Sequence, residues 1–89
     1  MLDLYLEKRA QRFIEKLLPK HAGQISNKIG ELQKSPFPQD CKRVKQSPYF
    51  RVDSGEYRIA YQVIGNTLYI PLIGKRNDDQ VYRRLRRLQ

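Results

Sequence analysis

Residues 52–76 read VDSGEYRIAYQVIGNTLYIPLIGKR, and this stretch decides the fold. Tyr57, Ile59, Tyr61 and Val63 alternate with Arg58, Ala60, Gln62 and Ile64, the period-two pattern of a strand with two distinct faces. Gly65-Asn66 suits a two-residue hairpin turn, and Leu68, Ile70 and Leu72 resume the alternation beyond it. Pro71 cannot donate to a ladder, so a bulge or an outward-facing amide is expected there. Upstream, DSGE turns the chain back onto a strand in which Arg51 and Asp53 share one face and Val52 points the other way. The hairpin begins and ends in fixed positive charge, with Arg58 at its start and Lys75-Arg76 at its end. Antiparallel pairing brings those ends side by side. Arginines held on a sheet can grip one phosphate with paired donors. A set of solvated strand-edge charges would have the same residues.

Outward from the hairpin, residues 2–6 (LDLYL) alternate as a short strand. EKRAQRFIEKLL then places Ala10, Phe13, Ile14, Leu17 and Leu18 on one helical face. Pro19 ends that helix, PKHAG connects, and QISNKIGELQK continues with Ile25, Ile29 and Leu32 at helical spacing. Gly30 weakens this second helix by about 1 kcal/mol relative to Ala, as a site of close packing would justify. Two helices so joined form an antiparallel hairpin. SPFPQD opens a loop over residues 35–48. At the other end NDDQVYRRLRRL carries Asn77 as N-cap, Gln80 three residues on, and Asp78 and Asp79 at the positive helix start. Val81, Leu85 and Leu88 form its buried stripe. The sum is a single α+β domain over residues 1–89 in the order β-α-α-β-β-β-α. A curved antiparallel sheet is covered on one face by helices, with an N-terminal helical hairpin and a C-terminal helix.

The chain has 89 residues and a formal charge of +9, from 18 basic and 9 acidic side chains. A domain this small hides only about 60–65 % of its unfolded surface, which favours a shallow surface site over a deep pocket. Residues 75–89 hold six basic side chains against two acidic ones, which points to a polyanionic partner, nucleic acid or an acidic protein. Solubility alone would account for the charge equally well. Cys41 and His21 are the single cysteine and the single histidine, so an internal disulfide is impossible and neither a metal site nor a cofactor is expected. No apolar run approaches the ~20 residues that span a bilayer. The opening MLDLYLEKRAQ is charged by its third residue, so no signal peptide is read and a cytoplasmic location is expected.

His21 lies in the helix-hairpin turn and reads as an ordinary surface residue, and Cys41 lacks an adjacent base. Tyr82 sits beside the stripe of the last helix, where half-buried packing is the ordinary reading and stacking on a base the functional one. A cationic sheet without metal still permits one phosphate reaction, the cleavage of RNA by its own 2′-hydroxyl. The nucleophile then belongs to the substrate, and the protein orients the strand and neutralises the phosphate.

The ordered set GEYRIAYQVIGNTLYIPLIGKRNDDQVYRRLRRL, preceded by the helical hairpin FIEKLLPKHAGQISNKIGELQKSP, resembles the RelE-type toxins of the RelE/ParE superfamily over nearly the whole chain. The resemblance implies a ribosome-dependent mRNA endoribonuclease that inhibits translation, and a neutralising RelB-like antitoxin. It implies that Arg58 and Arg76 contact the scissile phosphate, that Tyr82 stacks on an mRNA base, and that Arg51 is the basic residue of the preceding strand. Lys45, Lys75 and Arg83 are expected to bind substrate. Asp53 departs from the family, whose nucleases carry a lysine there for proton transfer. Asp53 acts either as general base towards the 2′-hydroxyl or as the ion-pair partner of an arginine. Two rivals share these residues: a ParE-like toxin that inhibits DNA gyrase without cleaving RNA, and an RNA- or ribosome-binding module without catalysis.

Overall fold

The computed structural model describes residues 1–77 and 80–87, with side chains in the last stretch described for 83–85 and 87. The elements run β1 (Asp3–Leu6), α1 (Lys8–Glu15), α2 (Pro19–Lys34), β2 (Lys42–Arg43), β3 (Phe50–Ser54), β4 (Tyr57–Ile64), β5 (Thr67–Lys75) and α3 (Gln80–Arg87). They form an α+β fold around one five-stranded sheet of order β1-β5-β4-β3-β2. β2 to β5 pair antiparallel in sequence, whereas β1 joins β5 in parallel and makes the sheet mixed. The helical hairpin carries the chain from β1 at one edge to β2 at the other. Four alternating strands then return it to β1, and that alternation leaves β5 pointing the same way as β1.

Both tight turns follow one rule. Gly55 and Gly65 have φ of 60° and 59°, each at the first central position of a two-residue hairpin turn. A primed turn needs that left-handed backbone, which glycine adopts without steric cost.

Pro71 marks a β-bulge, the first of its two expected outcomes. Ala60 pairs with Leu72, but Gln62 pairs with Tyr69, so β5 spends one residue more than β4 over that interval. A residue without an N–H leaves no orphan donor at the irregularity. The bulge also reverses the side-chain phase of β5. Leu68 and Ile70 enter the core under α1 and α2, and so does Ile73, while Leu72 turns to the opposite face. The simple alternation expected of Leu68, Ile70 and Leu72 is therefore broken at Pro71.

The sheet consequently has a core on each side. Ala10, Ile25, Ile29 and Leu32 from the helices meet Val52, Tyr57, Ile59, Tyr61, Leu68, Ile70 and Ile73 on one face. Val44, Tyr49, Ala60 and Leu72 meet Leu85 of α3 on the other. Helices therefore cover both faces, not one, because Ala60 and Leu72 offer Leu85 an apolar patch there. Tyr61 donates a hydrogen bond to the Pro36 carbonyl at 2.6 Å and fastens the loop before β2. That loop contains a two-residue strand where none was expected, since Lys42 and Arg43 pair with Arg51 and Phe50.

Four local expectations change. α1 ends at Glu15, before Leu17 and Leu18, so Pro19 does not end it but starts α2 as its first residue, which suits a residue whose missing N–H has no helical partner at that position. Leu18 is then the N-cap of α2 and 70 % exposed, off the buried face of α1. His21 lies in the first turn of α2, half-buried and edge-on to Tyr57 with ring centroids 5.6 Å apart. A Cβ at Gly30 would meet nothing within 4 Å, so this glycine is not a site of close approach. Asp78, Asp79 and Leu88, and the side chains of Gln80 and Val81, lie outside the described residues, and with them the capping box and part of the α3 stripe. No helix among the described residues is long and apolar enough to cross a membrane.

Candidate nucleic-acid interface

The face that carries α3 also carries the charged cluster. Arg58 pairs across the ladder with Asp53 on one side and Gly74 on the other, and the next rung aligns Leu72, Ala60, Arg51 and Lys42. Cross-strand partners project to the same side of a sheet, so Arg51, Asp53 and Arg58 stand together beside the α3 cluster. Ala60 and Leu72, buried in that cluster, fix which side this is.

Arg76 reaches the same face because of the bulge. Without the extra residue at Pro71, positions 72, 74 and 76 would point under α1 and α2. With it they share the phase of Leu72. Beyond the end of β5, the Arg76 amide bonds the Glu56 carbonyl at 2.9 Å and continues the ladder by one step. Its guanidinium lies 3.5 Å from the Gly55 carbonyl, at the rim of an open hollow lined by Gly55, Glu56, Lys75, Arg76 and Asn77.

Asp53 is the centre of the cluster. Arg58 grips it through Nε to Oδ1 at 2.7 Å and Nη2 to Oδ2 at 3.3 Å, a two-pronged pair at the edge of the face. The side chains are 14 % exposed for Arg58 and 36 % for Asp53, so the pair is partly screened from water. The Arg58 hydrogen bond holds the Asp53 carboxyl below its ordinary range. Partial burial opposes this, and the charges of Arg58, Arg51 and Arg76 add to it. Arg58 alone contacts the carboxylate; Arg51 shares its face two residues before Asp53, and Arg76 lies in the same phase just past the end of β5.

The remaining expected residues are less concentrated. Lys75 is exposed opposite Tyr57 and lines the hollow. Lys45 is exposed in the turn after β2, and Arg83 is exposed on α3. The Tyr82 side chain lies outside the described residues. Lys42, directly opposite Arg51, was not among the candidates. Lys42 and the buried Val44, two residues apart, share one face, and that spacing is the signal that marks it. Among the described residues no group of three or more His, Cys, Asp or Glu side chains is arranged to hold a metal ion.

The sequence matches no protein-family model and no curated protein. Its three-dimensional likenesses are close. A mutant of the E. coli toxin RelE in the free state superposes with a TM-score of 0.78 at 24 % identity, over 98 % of this chain and 96 % of that one. The chain has the RelE-type toxin fold. The isolated E. coli RelE toxin matches over the full length of both chains with a TM-score of 0.75 and 23 % identity. The archaeal RelE–RelB complex from Pyrococcus horikoshii matches with a TM-score of 0.76 and 18 % identity, over 85 % of this chain and 96 % of that one. In this RelE-type fold the cluster of Arg51, Asp53, Arg58 and Arg76 occupies the sheet face next to the C-terminal helix.

Proposed function

We propose that this protein is the toxin of a type II toxin–antitoxin system, a ribosome-dependent endoribonuclease that cleaves mRNA and inhibits translation. The observation that carries the reading is the Arg58–Asp53 pair standing with Arg51 on the sheet face beside α3, with Arg76 in the same phase at the end of β5. The reaction is attack of a substrate 2′-hydroxyl on the adjacent phosphate, with departure of the 5′-oxygen of the next nucleotide. Arg58 and Arg76 bind the non-bridging oxygens and stabilise the charge that builds on them in the transition state. Arg51 extends the positive field along the strand, and Tyr82 stacks on a base and fixes the in-line geometry. Lys45, Lys75 and Arg83 hold the flanking backbone.

Asp53 takes the second of its two expected roles. A carboxylate shifted below its ordinary range and bound by a guanidinium is a weak base. It orients Arg58 and relieves the repulsion among the three arginines. The partner is a RelB-like antitoxin with acidic and apolar segments, in keeping with the RelE–RelB complexes among the structural likenesses. The working location is the cytoplasm, where ribosomes and mRNA are.

Inducible expression with mapping of mRNA 5′ ends tests the reading. Wild type should create new ends within codons of translated messages, and Arg76→Ala should abolish them. Growth arrest without new ends would point to gyrase inhibition or to binding alone, and ends that persist in Arg76→Ala would overturn the assignment.

A further inference from the structure

Lys42 was missed by sequence, yet the sheet presents it beside the cluster. It is the register partner of Arg51, so the two cations project from one rung to one side, with Cβ atoms about 5 Å apart. Like charges directly opposite one another destabilise a sheet. Among the described residues neither Lys42 nor Arg51 has an ion-pair partner.

The hairpin that carries Lys42 is firmly built. The Val44 amide bonds the Tyr49 carbonyl at 2.8 Å, the Ser47 hydroxyl donates to the Val44 carbonyl at 3.1 Å, and the Tyr49 amide donates back to that hydroxyl at 3.1 Å. Val44 and Tyr49 are buried against Ala60, Leu72 and Leu85. Arg43, one residue on, faces the other way opposite Phe50, and its Nε lies 3.4 Å from the Ser47 carbonyl. Packing therefore fixes Lys42 on the cluster's face while its neighbour serves the turn.

We infer that Lys42 is a backbone-binding residue for single-stranded RNA. It ends a cationic track that runs across the strands from Arg76 through Arg58 and Arg51. The inference rests on the nuclease reading for the identity of the polyanion. Lys42 stands two strands from β4, about 10 Å across the sheet, far enough to meet a phosphate other than the one at Arg58. The competing role for an edge-strand lysine is to block pairing with a second sheet.

Binding of a fluorescent 2′-O-methyl oligoribonucleotide, which cannot be cleaved by its own 2′-hydroxyl, separates these roles. Affinity is measured against salt for the full chain and for Lys42→Ala, Lys42→Arg, Arg58→Ala and Lys34→Ala. Lys34 is exposed at the end of α2 and serves as the control. Lys42→Ala should flatten the dependence of log affinity on log salt by about 0.7, the release expected for one phosphate contact on a single strand. Lys42→Arg should restore the slope and Lys34→Ala should leave it unchanged. An unchanged slope in Lys42→Ala, or an equal loss in Lys34→Ala, would overturn the inference. Loss in Lys42→Ala with none in Arg58→Ala would uphold the contact and sink the wider nuclease reading.

Discussion

Asp53 accepts a 2.7 Å hydrogen bond at Oδ1 from Arg58 Nε, and the two residues are register partners on neighbouring strands. The guanidinium is thus aimed by the opposite strand rather than by its own. Asp53→Asn should lower single-turnover cleavage by less than about tenfold and leave the shape of its pH profile unchanged. Loss of a true general base would cost about 10²–10⁴-fold and remove the acidic limb.

The same pair makes stability depend on pH. Asp53 has a folded-state pKa below its unfolded value, so its contribution is complete above the unfolded value near ~4 and is lost as pH falls through the folded one. Discounted for a partly exposed pair, the contribution is about 1 kcal/mol. Denaturant titrations at pH 7 and pH 2.5 should show wild type losing that increment relative to Asp53→Asn. Parallel losses would mean that the pair contributes nothing.

Gly30 offers a stabilising change. It lies inside α2, and an added Cβ would meet nothing within 4 Å. Gly30→Ala should raise stability by about 0.5–1 kcal/mol, seen as a rise of several degrees in Tm. It lies on the helix side of the sheet, away from the arginine cluster, and should leave cleavage unchanged. A fall in Tm would show that the position is tighter than its surroundings indicate.

Leu85 anchors α3. It is 1 % exposed and packs with Val44, Tyr49, Ala60 and Leu72. An eight-residue helix does not persist alone in water, so docking holds it. Leu85→Ala should cost about 2–5 kcal/mol locally and raise amide exchange in α3 while β4 stays protected. If Tyr82 acts from this helix, cleavage falls in the same variant. Unchanged exchange would show that other contacts hold α3.

The central hairpin was legible because its physics is local. Period-two alternation and a glycine turn need only neighbouring residues, and antiparallel register followed from them. An ion pair of Asp53 with an arginine was one of two roles considered, and the register of the two strands across the DSGE turn makes that arginine Arg58. The bulge was flagged by Pro71, but its consequence was not drawn: one extra residue reverses every later side chain of β5, and so turns Arg76 to the face of Arg58. What depended on distant segments was hidden. The parallel seat of β1, the placement of α3 on the second face and the pairing of Lys42 with Arg51 arise from packing between elements far apart in sequence. Pro19 was read as a stop, although a proline is equally at home as the first residue of a helix.

The most direct test is a double-mutant cycle on single-turnover mRNA cleavage by ribosomes, using Arg58→Ala, Arg76→Ala and the pair. Two guanidinium groups on one phosphate should be coupled by more than about 1 kcal/mol, the second loss costing less than the first. Additivity within about 0.3–0.5 kcal/mol would mean that the two arginines serve separate groups, and would contradict the shared phosphate site.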